Sequence, residues 1–223
     1  MSSPALAIMT RVPSRQGKSR LSSILSPAQR ESLQWAFFLD TLDKARQLPL
    51  YRCFVFATPS GQTGVLEKVT GSGVKVVPQV DGDLGQRILA AITYMYRLGH
   101  IPQVVIGTDS PALPAEYLSN TIQLLKAHDI VLGPALDGGY YLIGTKEPQA
   151  GLFTNIGWGT GSVLGKTKAA CDKHRLSYCL LPSLPDIDRP EDLLELARHL
   201  KSTNNEALLL SPRTNNFLKS IKR

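Results

Sequence analysis

Short apolar runs and longer amphipathic segments alternate along the chain, and this alternation predicts the fold class. The apolar runs are rich in β-branched and aromatic residues and predict strands over residues 5–10, 52–57, 74–77, 104–106, 130–134, 140–143 and 178–181. Apolar positions at helical spacing predict helices over residues 26–47, 61–70, 84–98, 114–127, 161–174 and 190–201. We therefore expect an α/β protein with three layers, α/β/α, and a mostly parallel central sheet.

Two neighbouring runs depart from this alternation. Only a short Gly-rich stretch separates residues 130–134 from residues 140–143. A parallel crossover needs about a dozen residues or more, so these two runs cannot be joined by one. They predict an antiparallel element or a pair at the edge of the sheet, and the sheet is therefore expected to be mixed.

Length and composition indicate one globular domain. The chain has 223 residues, of which 43% are hydrophobic and 19% charged, and this is enough for one well-buried α/β core. We expect the domain to span residues 1–203, with residues 204–223 as a C-terminal extension. No run approaches the length of a membrane span and no basic leader precedes the first strand, so a cytoplasmic location is expected. The three cysteines and four histidines lack metal-like spacing, which argues against zinc and cysteine chemistry.

The formal net charge of +7 raises the question of a partner. A nucleic acid is the first alternative for a basic protein, but we find no stacking or groove-reading motif. One cluster of cations lies between a strand and a helix, which suits a small phosphorylated ligand better. It contains Arg11, Arg15, Lys18 and Arg20. The second cluster is interpreted as a solvated end and contains Arg213, Lys219, Lys222 and Arg223.

The first cluster predicts a phosphate-binding turn. Gly17-Lys18-Ser19 resembles the end of a Walker loop, but Val12 stands where that motif requires a glycine. The remaining interpretation is a strand-to-helix turn that holds a di- or triphosphate through backbone donors and charge-assisted hydrogen bonds. An ordinary exposed basic turn is the alternative.

Asp109 is the first candidate metal ligand. It follows a buried strand and Gly107-Thr108, and Pro111 prevents the strand from continuing. In open α/β sheets, ligands bind at the carboxyl ends of the strands. A helix cap is the structural alternative for this carboxylate.

Three further acidic stretches have both functional and structural interpretations. Asp81-Gly-Asp83 has the D-x-D spacing of nucleotide-sugar transferases, but it precedes a helix, and a cap is favoured. Asp186 and Asp188 also precede a helix, and metal ligand and cap are equally favoured for this pair. Asp137 precedes two glycines that would allow close approach to a ligand, while a turn held by Asp137 is the alternative. Mg²⁺ takes only one or two protein carboxylates, so Asp109 and one of these acids would suffice.

Five stretches in order resemble the GT-A family often labelled arsenosugar-biosynthesis glycosyltransferase. The resemblance covers residues 5 to about 201 and implies a Rossmann-like GT-A fold. The first stretch, with residues 25–30, is also similar to 2-phospholactate guanylyltransferase, which lacks the Asp-Gly-Gly-Tyr motif. The five stretches are Arg11-Val-Pro with Gly17-Lys-Ser-Arg-Leu21, Gly82-Asp-Leu-Gly-Gln-Arg87, Ile106-Gly-Thr-Asp-Ser-Pro111, Leu132-Gly-Pro-Ala-Leu-Asp-Gly-Gly-Tyr-Tyr-Leu-Ile-Gly144 and Asp186-Ile-Asp-Arg-Pro-Glu-Asp-Leu193.

The resemblance implies a role for each matched position. Nucleotide binding is implied for Arg11, Gly17, Lys18, Arg20, Gln79, Gly85 and Thr108. A divalent ion, Mg²⁺ or Mn²⁺, would be held by Asp109 and Asp188. The acceptor or sugar side would be lined by Asp137, Gly138, Gly139, Tyr140, Trp158 and Thr160. Arg11 stands where the family usually has lysine, which keeps the charge but changes the geometry of the phosphate contact.

These residues predict a metal-dependent transferase that uses a nucleotide-activated donor. Asp109 and Asp137 are the candidate catalytic residues. Glycosyl transfer from a nucleotide sugar to a small-molecule acceptor is the favoured interpretation, and nucleotidyl transfer from a nucleoside triphosphate is the alternative. A nucleotide-binding protein without catalysis is a further alternative. We expect no nucleic-acid partner, and a homodimer is possible.

Overall fold

The computed structural model describes residues 2–202 and 211–221, and its centre is a seven-stranded mixed sheet. The strands are β1 Ala5–Arg11, β2 Arg52–Thr58, β3 Lys75–Pro78, β4 Gln103–Ile106, β5 Ile130–Pro134, β6 Tyr140–Thr145 and β7 Tyr178–Leu180. The helices are α1 Pro27–Arg46, α2 Gly64–Thr70, α3 Leu84–Arg97, α4 Ala115–Leu124, α5 Val163–Lys173, α6 Pro190–Ser202 and α7 Pro212–Ser220. The α/β prediction is confirmed. No helix of the described residues has the length and apolarity needed to cross a membrane.

The strand order is β3-β2-β1-β4-β6-β5-β7, and β6 is antiparallel to both of its neighbours. The other pairs are parallel. The predicted antiparallel element is therefore present, but β6 lies inside the sheet and not at its edge. Since the β5–β6 turn lies at the carboxyl end of β5, it reaches the same edge of the sheet as the carboxyl ends of β1 and β4.

Alternating residues of the strands bury side chains on both faces of the sheet. Leu6 and Ile8 of β1 belong to a core with residues of α1, α2 and α4. Ala5 and Ala7 of the same strand belong to a core with residues of α3 and α5. This period of two places helices on both faces, which gives the three layers predicted from the sequence.

Side-chain caps set the beginnings of the two helices that flank the basic loop and the D-x-D stretch. Ser26 and Gln29 form a capping box at the start of α1. Asp83 and Gln86 form a second capping box at the start of α3, where Asp83 accepts from the Gln86 N–H at 2.8 Å. The second acid of the D-x-D stretch is therefore a helix cap, as the sequence favoured.

The last helix, α7, packs against α1 around a buried carboxylate. The Asp40 side chain accepts hydrogen bonds from the Thr214 N–H at 2.8 Å and the Thr214 hydroxyl at 2.7 Å. Arg213 forms ion pairs with Asp43 at 2.5 Å and with Asp40 at 3.5 Å. Arg213 is exposed, as predicted, but these ion pairs attach it to α1, so it does not belong to a free end. Lys219 of the same cluster is exposed, and Lys222 and Arg223 lie outside the described residues.

Candidate active site

A cleft of about 900 Å³ opens at the edge where β1, β4 and the β5–β6 turn meet. All the predicted site residues except Gly85 and Gly138 line this cleft. The predicted residues that line it are Arg11, Gly17, Lys18, Arg20, Gln79, Thr108, Asp109, Asp137, Gly139, Tyr140, Trp158, Thr160 and Asp188.

Asp109 and Asp188 come from distant parts of the chain and are held next to each other by the backbone. Asp109 follows β4, and its carbonyl oxygen accepts a hydrogen bond from the Ile187 N–H at 2.8 Å. Asp188 is the next residue, and its own N–H donates to the Asp192 carboxylate at 3.0 Å. Asp192 thus caps the start of α6 and leaves the Asp188 carboxylate free to face the cleft.

Lys18 lies between these two carboxylates. Its ammonium is 2.7 Å from Asp109 Oδ1 and 2.8 Å from Asp188 Oδ1, and it donates to the Ile187 carbonyl at 2.6 Å. Its side chain is only 9% exposed, and its backbone is left-handed with φ of 49°. The sequence assigned Lys18 to nucleotide phosphates and the two acids to a metal, whereas here the lysine binds the acids directly.

The ion pairs determine the charge states in this part of the cleft. Burial alone would lower the pKa of Lys18, but the two nearby carboxylates outweigh it and raise that pKa above its ordinary value. Burial would raise the pKa of Asp188, but Lys18 and Arg20 hold it below its usual range. Arg20 reaches Asp188 Oδ2 at 3.3 Å. Asp188 and Lys18 are therefore both charged at neutral pH.

Asp109 and Asp188 fit a divalent cation. Both already contact one cation at less than 3 Å, and Mg²⁺ or Mn²⁺ would require no more than these two protein carboxylates. Within residues 2–202 and 211–221, no group of three His, Cys, Asp or Glu side chains is arranged around a common metal position. The remaining ligands would have to come from water and from phosphate oxygens.

Asp186 and Asp137 line the cleft beside this pair. Burial, followed by the charge of Asp137, raises the pKa of Asp186 to about 6. Asp137 is exposed, and its carboxylate accepts from the Gly139 N–H at 2.7 Å. Asp137 thus holds the turn between β5 and β6, which was the structural alternative for this residue, while its carboxylate still lines the cleft.

The two glycines after Asp137 differ in what they approach. Gly138 has φ of 89°, and a Cβ built on it would lie 2.2 Å from the carbonyl oxygen of Gly161. Gly138 therefore allows close approach of the protein's own backbone, and it does not line the cleft. Gly139 does line the cleft.

An aromatic wall borders the other side of the cleft. The Trp158 ring stacks on Phe153 at 6.5 Å and meets Tyr140 edge-on at 6.2 Å, measured between ring centroids. A Cβ on Gly85 would lie 2.5 Å from the Trp158 ring, so Trp158 covers the buried Gly85 at the start of α3. This contact keeps Gly85 from lining the cleft. Thr160 is exposed near the ring, and its hydroxyl donates to the Gly157 carbonyl at 2.6 Å.

On the side of the cleft expected to bind the nucleotide, two side-chain amides donate hydrogen bonds to backbone carbonyls. Gln79 donates from Nε2 to the carbonyls of Thr10 at 3.1 Å and Phe56 at 2.8 Å, so its amide orientation is set by two acceptors. Gln34 of α1 donates to the Ser14 carbonyl at 2.8 Å and holds the basic loop. Sequence reasoning did not select Gln34, because nothing in the pattern of α1 distinguishes it from an exposed helix residue.

Arg87 is a second cleft residue that sequence reasoning missed. It lies in the first turn of α3, and its Nε donates to the Gly82 carbonyl at 3.0 Å. Among the ion pairs of the described residues, neither Arg87 nor Arg11 has an acidic partner. The motif that ends in Arg87 could have indicated this residue, since its spacing from the Asp83 cap places it next to the cleft.

Residues 41–160 match the family described as "Uncharacterized protein conserved in bacteria (DUF2064)". Along most of its length, the chain is also similar to 3-phospho-D-glycerate guanylyltransferase of Phenylobacterium zucineum (strain HLK1). These two proteins are 30% identical over 195 residues, which cover 81% of this chain and 84% of the relative.

Two solved structures extend this comparison. A protein of Desulfovibrio desulfuricans G20, assigned to the nucleotide-diphospho-sugar transferases, superposes with a TM-score of 0.87 at 25% identity and covers 99% of both chains. Rv0371c of Mycobacterium tuberculosis H37Rv, solved in complex with manganese, superposes with a TM-score of 0.55 at 14% identity, over 87% of this chain and 98% of its own. The second likeness concerns the fold alone.

Proposed function

This chain belongs to the DUF2064 family, within the nucleotide-diphospho-sugar transferase superfamily, and on that premise we propose that it transfers a nucleotidyl group from a nucleoside triphosphate to a small phosphorylated acid. The observation that carries the proposal is the pair Asp109 and Asp188, held within reach of one cation beside a basic loop. The likeness to a guanylyltransferase makes GTP the first donor to test.

The D-x-D stretch favours nucleotidyl transfer over the glycosyl transfer that the sequence favoured. A glycosyltransferase with that motif would use its acids on the metal, but Asp83 is engaged as the cap of α3. Asp81 is exposed and does not line the cleft. The two acids best placed for a metal lie elsewhere: Asp109 follows β4, and Asp188 lies in the segment before α6.

In the proposed reaction, an oxygen of the acceptor phosphate forms a bond to the α-phosphorus of the triphosphate. The bond between that phosphorus and the oxygen leading to the β-phosphate breaks, and pyrophosphate leaves with its electrons. Arg11, Lys18, Arg20 and the N–H groups of the basic loop would neutralise charge on the triphosphate. Arg87, which has no acidic partner among the described residues, would bind the acceptor. A Mg²⁺ or Mn²⁺ ion held by Asp109 and Asp188 would supply Lewis-acid stabilisation of the phosphate oxygens.

The test is a pyrophosphate-release assay with GTP and 3-phospho-D-glycerate, in the presence of Mg²⁺ or Mn²⁺. The other three nucleoside triphosphates and acids without a phosphate serve as controls for donor and acceptor. We expect pyrophosphate only when both the triphosphate and a phosphorylated acid are present. Pyrophosphate that is independent of any acceptor would indicate hydrolysis and would contradict the proposed transfer.

Glycosyl transfer from a nucleotide sugar is the second candidate. The wall of Trp158 and Tyr140 favours it, because aromatic faces suit the apolar side of a sugar ring. Cleavage of a nucleotide sugar to a nucleoside diphosphate or monophosphate, with no pyrophosphate from any triphosphate, would establish this candidate in place of the first. Nucleotide binding with neither product would support the alternative without catalysis.

A further inference from the structure

The position of Lys18 has a consequence for metal binding. Its ammonium makes direct contacts with both carboxylates that a divalent ion would need, at 2.7 Å and 2.8 Å. Two cations cannot occupy this space together without strong repulsion. We propose that Lys18 competes with the divalent metal for Asp109 and Asp188, and that the phosphates of a nucleotide relieve this competition by drawing the lysine away.

The local charges support this competition. Asp109 and Asp188 carry two negative charges, and Lys18 with Arg20 supplies two positive ones. The pair of acids is therefore already neutralised before a metal arrives. A metal ion alone would have to displace Lys18 from both carboxylates, whereas a metal ion that arrives with a triphosphate brings new acceptors for the displaced ammonium.

The surroundings of Lys18 allow it to change partners. Its flexible four-carbon side chain carries three donors, so the ammonium can turn from carboxylate to phosphate oxygens without a change in fold. Its neighbours Gly17, Ser19 and Arg20 line the same cleft, and the Arg20 side chain is 65% exposed. A phosphate bound by this loop would thus lie next to Lys18. The inference rests on the proposed function in this one respect, that the ligand carries phosphates.

The competing explanation is that Lys18 permanently holds the two acids in position. In that case its removal would let Asp109 and Asp188 move apart and would weaken metal binding. The two explanations predict opposite signs for one measurement, the affinity of the protein for Mn²⁺ in the absence of nucleotide.

The experiment is a titration with Mn²⁺ alone, in which electron paramagnetic resonance counts the free ion. We expect Lys18→Met to bind Mn²⁺ at least about tenfold more tightly than the unaltered protein, because one positive charge next to both ligands is removed. Methionine at position 18 adds no β-branching to the left-handed backbone, so the loop is expected to keep its conformation. Lys18→Arg, which keeps the charge, is the matched control and should bind Mn²⁺ with the same affinity as the unaltered protein.

The same titration with saturating GTP measures the coupling between metal and nucleotide. By linkage, GTP should strengthen Mn²⁺ binding in the unaltered protein by a larger factor than in Lys18→Met. Unchanged or weaker Mn²⁺ binding in Lys18→Met, or equal coupling in the two proteins, would overturn the proposal.

A second measurement uses the unaltered protein. Acetic anhydride labelling followed by mass spectrometry reports whether Lys18 is accessible, with the exposed Lys68 as reference. Saturating Mn²⁺ should raise the labelling of Lys18 several-fold, and no rise would contradict the competition.

Neither measurement requires turnover. Tighter Mn²⁺ binding by Lys18→Met in a protein that releases no pyrophosphate would support the competition and refute only the proposed reaction.

Discussion

Replacing Asp109 with asparagine separates the stability of the fold from the binding of metal. The Asp109 side chain is 50% exposed and forms one ion pair, at 2.7 Å to Lys18. After the substitution Lys18 keeps Asp188 at 2.8 Å and the Ile187 carbonyl at 2.6 Å. Because Asp109 is half exposed and Lys18, though only 9% exposed, keeps a charged partner in Asp188, the free energy of unfolding should fall by less than about 1 kcal/mol. For a chain of this size that shifts the Tm by at most about 4 °C.

Metal-dependent binding should change far more. Loss of a residue that only orients a metal ligand typically costs about 10- to 100-fold in affinity, so loss of a carboxylate ligand should cost at least about 100-fold. This corresponds to about 2.7 kcal/mol, several times the cost in stability. The assay is calorimetry of GTP binding with and without Mn²⁺, with thermal unfolding of the same samples.

Asp81→Asn is the matched control, because Asp81 is an exposed acid outside the cleft. It should leave both measurements unchanged. Unaltered Mn²⁺-dependent GTP affinity in Asp109→Asn would refute the assignment of Asp109 as a ligand. Loss of that affinity in Asp81→Asn would indicate that the D-x-D stretch, and not Asp109, supplies the metal ligand.

Three further predictions concern stability. Asp40→Ala should lower the free energy of unfolding by about 3 kcal/mol, measured in urea, because it leaves buried donors of α7 unpaired and removes a helix cap. Burial lowers the pKa of Lys44 to about 8 in the folded protein, whereas its ordinary value of 10.5 applies in the unfolded state. Between these two pH values only the unfolded state keeps the proton on Lys44, so the free energy of unfolding rises with pH. Between pH 8 and 10.5 the free energy of unfolding of the unaltered protein should rise by about 3 kcal/mol relative to that of Lys44→Met, measured by urea unfolding at each pH. Gly138→Ala should lower the Tm much more than Gly159→Ala, because both glycines have positive φ but only Gly138 would place its Cβ against the Gly161 carbonyl. Equal losses in the two glycine variants would show that backbone conformation alone determines the cost.

The elements that the sequence predicted well depend on local signals. The cap at Asp83 and the buried strand before Asp109 can be read from neighbouring residues. Most of the candidate residues that line the cleft lie in the motifs quoted for the GT-A resemblance, and Gln79, Trp158 and Thr160 lie outside those motifs. The boundaries differed slightly where the last turns of helices depend on tertiary contacts, as at the end of α4 after Leu124.

The features that the sequence did not predict are contacts between distant residues. The Lys18 ammonium binds Asp188, 170 positions away, and Arg213 binds Asp43, also 170 positions away. The partner of a long cationic side chain is decided by which backbones meet in the folded chain, and neither residue carries a local signal of its partner. Gly138 was interpreted as an approach to a ligand, since a glycine pattern cannot show which backbone lies opposite. The roles of the site residues, the homodimer and the cytoplasmic location stay predictions.

The hydrogen bonds to the carbonyl of Pro111 bear on how the protein is synthesised. This carbonyl, in the loop after Asp109, accepts from Lys44 and from Ser211, and Ser211 lies 100 residues further along the chain. During translation at about 5–20 residues per second, the sheet and most helices emerge well before Ser211 does. A nascent chain can therefore reach a nearly complete fold while the Asp109 loop still lacks one of its two donors. We therefore expect the docking of α7 to come after the sheet has formed and to complete the hydrogen bonding of the Asp109 loop.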